Sequence, residues 1–300
     1  MAKTGELFSK FEWFPVAEAA GVAGLAAAVV VGGGGGPFDG EAAAVASRLA
    51  ATAVVFYLVS CAYFAHKDLT DVWKDHRLYR PGEATHRTGA DYVRFLGYTL
   101  RDLVVVLPVA LYGLMVSGWI DYPGLMRPMS EVSWGYEVVV CVVQYCVQKA
   151  YNAGIHYMLH APQLYKHLHK RHHTMPRDLV ATAAWKETLV EYLLMELLGN
   201  FVIGPMIFRM HWLTLAASFA YVGFGAALDH AGFGPVNAII DSSHHHYHHQ
   251  FNIVNYSEFE TFDILLGTKY EPKPKVAAGA QTEAVQTSAV QTSAVQTSGT

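Results

Sequence analysis

Five stretches of the chain predict membrane-spanning helices. Residues 42–65 are apolar apart from Arg48 near one end, and 103–120 are an uninterrupted apolar run. Residues 138–155 are apolar with a few polar insertions, and 189–208 and 212–228 form a pair separated by Arg209 and His211. Residues 16–36 are a weaker candidate, because their many alanines and glycines lower the hydrophobic signal. A helix needs about 20 apolar residues to cross the hydrocarbon core. The pattern therefore predicts an all-α, multi-span membrane protein with four to six spans.

The polar segments orient these spans. Between positions 66 and 101 lie Lys67, Lys74, Arg77, Arg80, Arg87, Arg94 and Arg101, and between 149 and 187 lie Lys149, Lys166, Lys170, Arg171, Arg177 and Lys186. Residues 121–134 carry only Arg127, and the turn between the last two spans carries only Arg209. Cytoplasmic loops hold the excess of Lys and Arg, so 66–101, 149–187 and 230–300 are expected on the cytosolic side.

Composition supports the membrane reading. Hydrophobic residues make up 52% of the chain and charged residues 15%, with a mean hydropathy of +0.21. A soluble protein carries about 25% charged residues. With a net charge of −4 and no dense basic run, the chain is no nucleic-acid binder. Cys61, Cys141 and Cys146 all sit in apolar stretches, which excludes a disulfide framework. The expected organisation is an N-terminal region (1–41), spans with a basic loop (42–134), a histidine-rich region (135–272) and a low-complexity tail (273–300) that repeats AVQTS three times. The glycine run 32–36 has no GK[ST] after it and reads as a linker.

The chemistry lies in the histidines. Of sixteen, twelve fall between His156 and His249 in addition to His211, and the charge bias places those twelve at one membrane face. His156–His160 is HxxxH, and His169–His172–His173 and His245–His248–His249 are both HxxHH. Positions i, i+3 and i+4 share a helix face, so each motif is expected to aim two or three imidazoles at one point. His230, in the segment DHAGF, adds a ninth. Nine exceed the four ligands of a tetrahedral ion and match two six-coordinate ions with open positions. Imidazole suits Zn, Cu, Fe and Ni, and iron is the member suited to activating dioxygen. A lone histidine is ordinarily structural, and a histidine run can be a tag or a metal-buffering tract. Here 244–249 is internal, interrupted by Tyr247, and runs into Phe251 and Asn255–Tyr256. The lone ExxH at Glu83–His86 reads as a solvated loop.

With HYMLH, LYKHLHKRHH, DHAGF and HHYHHQFNIVNYSEFETFDILLGT in this order, the chain resembles the fatty acid hydroxylase/sterol desaturase superfamily over residues 135–272. The resemblance implies a membrane-bound non-haem di-iron oxygenase of the endoplasmic reticulum, with a histidine-lined catalytic cap facing the cytosol. It would hydroxylate a lipid, a sterol or fatty acyl chain, with dioxygen and electrons from cytochrome b5 and its NAD(P)H reductase. The metal ligands carried over are His156, His160, His169, His172, His173, His230, His245, His248 and His249. His167, His244 and His246 stand nearby without a motif role. Sterol 4-methyl oxidases have a further His-Pro-Leu-Glu where this chain reads Ala183-Ala184-Trp185-Lys186-Glu187; cholesterol 25-hydroxylase also lacks that histidine. A sterol desaturase or carotenoid hydroxylase is the alternative within the class. The rival outside it is a zinc transporter with a histidine-rich loop, but transporters place polar ligands within spans near the midplane.

Overall fold

Asp39 starts the first long helix by accepting from the backbone N–H of Glu41 and Ala42 at 3.0 and 2.9 Å, the role of an N-cap. The computed structural model describes residues 7–32, 38–78, 87–174, 179–258 and 260–270. The ExxH at 83–86, most of the glycine run and the AVQTS tail lie outside them. The described elements are α1 (Phe14–Gly32), α2 (Gly40–Leu69), α3 (Gly89–Val116), α4 (Trp134–Leu159), α5 (162–173), α6 (Leu189–Ile207), α7 (Trp212–Asp229), α8 (Ser243–Phe251) and α9 (Glu260–Leu266). Among the described residues the only β-type pairing is an isolated bridge between Arg77 and Phe233. The protein is an all-helical, multi-span membrane protein, and α2, α3, α6 and α7 are each long and apolar enough to cross a bilayer.

Helix α4 is turned inside out relative to a helix in water. Its buried stripe is polar, with Glu137, Gln144, Gln148, Lys149, Asn152 and His156. Its outer face carries Val138, Val139, Val142 and Val143, the first of these 63% exposed. Polar groups buried in a lipid-facing bundle are retained by internal partners. Gln144 donates to Ser218 at 2.8 Å, Gln148 to the Asn200 carbonyl at 2.9 Å, and Asn152 to Asn200 Oδ1 at 2.7 Å. That stripe lowers the mean hydropathy of α4, and α4 is not among the four helices above.

The second span begins earlier than its hydropathy predicts. The sequence places it at 103–120, whereas α3 runs from Gly89, where Asp91 accepts from the Thr88 N–H at 2.8 Å, to Val116. Arg94 and Arg101, read from the sequence as loop cations, lie inside this helix. Arg94 pairs with Glu12 at 2.8 Å, and the fully buried Arg101 pairs with Glu18 at 2.6 Å and Asp102 at 2.7 Å. The glutamates come from the segment before α1 and from its first turns, so α1 is fixed on α3 by charge pairing inside the protein.

Two glycines set the close contacts that hold the histidine-bearing cap. At Gly223 a Cβ would lie 2.9 Å from the Ala53 carbonyl oxygen and from the Tyr57 nitrogen. Only a missing side chain lets α2 and α7 approach this closely. Gly232, just past α7, has φ +71° and would place a Cβ 2.9 Å from the Arg87 guanidinium. Its carbonyl accepts from Leu78 at 2.9 Å, and Arg87 in turn reaches Asp68 at 3.3 Å. The glycine of DHAGF therefore lets the chain turn back over α2 directly after His230. Between α5 and α6, Leu179 to Glu187 is a wholly buried irregular segment with Trp185 in the core. It is tied down by the Tyr57 hydroxyl, which donates to the Ala181 carbonyl at 3.1 Å, and by Arg101, which donates to the Glu187 carbonyl at 3.1 Å.

Candidate metal centre

All nine motif histidines converge, in two groups. His156, His160, His169, His173 and His248 form one, and His172, His230, His245 and His249 the other. Within each group the potential ligand nitrogens lie within 4.8 Å of one another. The groups abut, with the rings of His173 and His249 4.6 Å apart. His156 and His160 come from the end of α4, His169, His172 and His173 from α5, His230 from the end of α7, and the rest from α8.

The expectation that each motif aims at one point needs correction. HxxxH serves one group, but both HxxHH motifs straddle the two. His169 and His173 join the first group and His172 the second; His245 and His249 join the second and His248 the first. The reason is helical geometry. Residues i and i+4 point nearly the same way, whereas neighbours differ by about 100°. An HxxHH helix lying between two centres therefore supplies one with i and i+4 and the other with i+3.

Hydrogen bonds to the far ring nitrogens fix the tautomers. The Nδ1 of His156 donates to the Tyr256 carbonyl at 2.6 Å, that of His248 to the Val254 carbonyl at 2.7 Å, and that of His230 to the Ala226 carbonyl at 3.1 Å. The Nδ1 of His169 shares a hydrogen bond with Glu191 Oε1 at 2.5 Å. A carbonyl can only accept, so the Nδ1 atoms of His156, His248 and His230 carry the proton. Burial then keeps the rings neutral. It lowers His160 to about 3 and His230 to about 4, with the neighbouring His156 adding to both. Burial and the neighbouring imidazoles hold His169, His172, His173, His245, His248 and His249 well below the usual imidazole range. The Nε2 atoms of His156, His248 and His230 must therefore present lone pairs.

The Nε2 atoms face one another. Nε2–Nε2 separations are 3.0 Å for His156–His169, 2.9 Å for His169–His173 and 3.2 Å for His173–His248. In the second group they are 3.3 Å for His172–His230, 3.2 Å for His230–His245 and 2.9 Å for His245–His249. The Nε2 atoms of His156 and His248 have no proton to offer, and the buried Nε2 of His160 has no partner. A cation resolves both problems. Ligands about 2.1 Å from an ion are about 3.0 Å apart at neighbouring octahedral corners and about 3.4 Å apart in a tetrahedron. The residues present fit two imidazole-bound metal ions.

Other histidines stand apart. His244 bonds Asp263 at 3.0 Å, His246 is buried beside Tyr247, and His167 is exposed. His211 caps the start of α7, accepting from the Leu213 N–H at 3.3 Å. With 18 residues of helix between it and His230, it lies about 27 Å from the centre.

The family profile for fatty acid hydroxylase matches residues 141–268, the segment that holds all nine converging histidines. Residues 141–268 belong to the fatty acid hydroxylase family. The chain is 25% identical over 183 residues to fatty acid hydroxylase ahd1 of Mycosarcoma maydis, covering 57% of this chain and 46% of that one. It is 27% identical over 189 residues to the lathosterol oxidase of Homo sapiens, covering 59% and 60%. It is 25% identical over 179 residues to the Delta(7)-sterol 5(6)-desaturase ERG3 of Candida albicans, covering 57% and 44%. The chain thus spans about half the length of the relatives it matches, and no solved structure matches it.

Supporting residues of this hydroxylase-family domain escaped the sequence reading. Glu191, buried at the start of α6, orients His169 while its other oxygen accepts from the Thr188 N–H at 3.4 Å. Its signal was the capping box Thr188-x-x-Glu191, which marks a helix start but not a histidine partner. Asp263 is fully buried in α9 and accepts from the Tyr256 and Ser257 N–H groups at 2.7 and 3.1 Å and from the Thr268 hydroxyl at 2.7 Å. Asn255, with φ +53°, joins His244 to Tyr270 through its side chain. Together they hold the loop whose Tyr256 carbonyl sets the His156 tautomer, and so account for the Asn-Tyr…Phe-Asp…Leu-Gly-Thr pattern.

Proposed function

We propose that the chain is a membrane-bound non-haem di-iron enzyme that hydroxylates a lipid, either a sterol or a fatty acyl chain, with dioxygen and external electrons. The observation that carries this reading is the convergence of nine imidazoles into adjoining groups of five and four whose ring nitrogens face one another. His156, His160, His169, His173 and His248 would hold one iron, and His172, His230, His245 and His249 the other. Bound iron supplies the reduction of dioxygen and the removal of hydrogen from an unactivated C–H bond. The chain's own contribution is to fix the rings of His156, His169, His230 and His248 through their far nitrogens, as outer-shell partners of metal-bound histidines do, and to keep the centre away from water by burying it. The similarity to sterol desaturases supports a second outcome of the same chemistry, loss of two hydrogens to give a double bond.

Electrons would come from cytochrome b5 and its NAD(P)H reductase, and the endoplasmic reticulum membrane is the setting this reading implies. The histidines follow the ends of α4 and α7, beside the more basic connecting segments, which supports a cytosolic cap. A cysteine at the exposed Asp241 is expected to label from the cytosolic side of sealed vesicles and one at Pro123 from the lumen; the reverse pattern would defeat the orientation.

Comparative lipidomics tests the activity. A host expressing the chain is expected to accumulate an oxygenated or desaturated lipid that is missing under anaerobiosis and missing with His172→Ala at equal expression. An identical lipid profile in both hosts, with iron bound, would refute the proposal.

A further inference from the structure

Beside the histidine groups the helices enclose a cavity of about 60 Å³. His156 from one group and His172, His230 and His245 from the other form its inner wall. Ala153 of α4 and Val222, Gly225 and Ala226 of α7 contribute apolar lining. Among the described residues that line it, only Glu258 is exposed. The cavity therefore reaches the surface at Glu258, whose carboxylate pairs with the Lys149 ammonium of α4.

That surface faces the bilayer. The Lys149 ammonium also lies over the rings of Tyr145 on α4 and Tyr221 on α7, 5.4 and 5.6 Å from their centres. The two tyrosine hydroxyls meet at 2.5 Å and join the helices. Lys149 stands ten residues before the end of α4, and Tyr221 eight before the end of α7. At the rise of a helix these offsets are about 15 and 12 Å. One leaflet of the hydrocarbon core is about 15 Å thick, so both helices put the ion pair within the leaflet on the histidine side. The other seam of α4 is shut by close packing, since a Cβ at Gly199 of α6 would lie 2.9 Å from the Tyr151 ring. Beside the cavity the α4–α7 seam is held by side chains, the tyrosine pair and the ion pair. Behind them Gly225 leaves room, because a Cβ there would meet nothing within 4 Å.

We propose that the seam between α4 and α7 is the entrance by which an uncharged alkyl segment of a membrane lipid reaches the histidine groups, with the Lys149–Glu258 pair as its latch. Calling that segment a substrate rests on the function proposed above. At this depth the bilayer offers alkyl chain and opposes the entry of charge, and the apolar lining of the cavity accepts such a chain. Asp263 fixes the backbone at Tyr256 and Ser257, so opening parts the Lys149 and Glu258 side chains and leaves the loop in place. A water takes about 30 Å³, so the cavity holds a short stretch of chain beside the histidines while the rest of the lipid stays in the bilayer.

Photolabelling of the full-length protein in phosphatidylcholine nanodiscs tests this, with hexadecanol carrying a mid-chain diazirine as the probe. Adducts are mapped by peptide mass spectrometry, and iron is quantified in the same sample. Adducts are expected on Ala153 and Val222, which are buried inside the cavity, as well as on the outward-facing Val142 and Val143. Gly225→Phe fills the cavity from a position with room for a side chain. It is expected to abolish the inner adducts and to leave the outer adducts and the iron content unchanged. Glu258→Gln releases the latch and is expected to speed inner labelling by up to about fivefold, the scale of one partly exposed ion pair. Tyr221→Ala opens the same seam from α7, guards against a folding defect in Glu258→Gln, and is expected to speed inner labelling too. Inner adducts absent from the wild type, inner adducts that survive Gly225→Phe, or labelling that neither seam variant accelerates would overturn the entrance. An entrance that passes all three tests in a chain that oxidises no lipid would stand, and would defeat the proposed oxygenase instead.

Discussion

Changing any one of His160, His172, His173, His248 or His249 to alanine is expected to abolish product formation while the protein remains folded in the membrane. Loss of an outer-shell partner of a metal-bound histidine already costs about 10–100-fold in metal affinity or activity, and these rings present nitrogens to the centre itself. The HxxHH motifs sharpen the expectation. His172 and His173 are neighbours in sequence but belong to different groups, so each replacement empties one position in a different group with equal loss of product. The contrast is His211→Ala. His211 caps α7 at the end remote from the centre, so its loss costs about 0.5–2 kcal/mol of stability and leaves product formation largely intact. His76, which bonds the Pro235 carbonyl at 2.8 Å, belongs with His211. His246 is buried but joins neither group, and a partial loss is expected. Product measured per folded protein checks the series. His211→Ala as inactive as His172→Ala in folded protein would contradict the assignment.

Asp263→Ala is expected to unfasten the cap. Fully buried, Asp263 accepts from two backbone N–H groups and one hydroxyl, and pairs with His244. A buried donor left without its acceptor costs about 1–3 kcal/mol, so the two N–H groups alone account for roughly 2–6 kcal/mol. The Tyr256 carbonyl rides on the same loop and receives the His156 proton, so the damage reaches the first histidine group. A thermal melt with metal analysis should show a lower melting temperature and reduced metal retention. Asp263→Asn keeps one acceptor oxygen and should be milder. An unchanged melt and unchanged metal content for Asp263→Ala would remove Asp263 from the account.

Both results depend on features that differ in how far they can be read from sequence. The helices were legible because lipid-facing surface needs long apolar runs, and the histidines because their spacing follows helical periodicity. The partition between two groups was not legible. It depends on how α5 and α8 are rotated between the two centres, and long-range packing sets that rotation. The Tyr256 and Val254 carbonyls that fix His156 and His248 were invisible for a different reason: every residue has a carbonyl. In α4 the interruptions Gln144, Gln148, Lys149 and Asn152 weakened a span signal, yet together they form the inner stripe of the helix. Arg94 and Arg101 misled for a related reason. Unpaired in sequence, they read as loop cations, whereas Glu12 and Glu18, more than 80 residues away, neutralise them within the fold.

The central claim is that the two histidine groups each hold an ion, and metal stoichiometry measures it most directly. Protein purified anaerobically with iron supplied is expected to carry about two ions per chain, since five and four imidazoles exceed the needs of one. His160→Ala and His249→Ala, each in a different group, should each lower the content toward about one, and the double variant should lower it further. A wild-type content of one ion per chain that neither substitution changes would contradict the account.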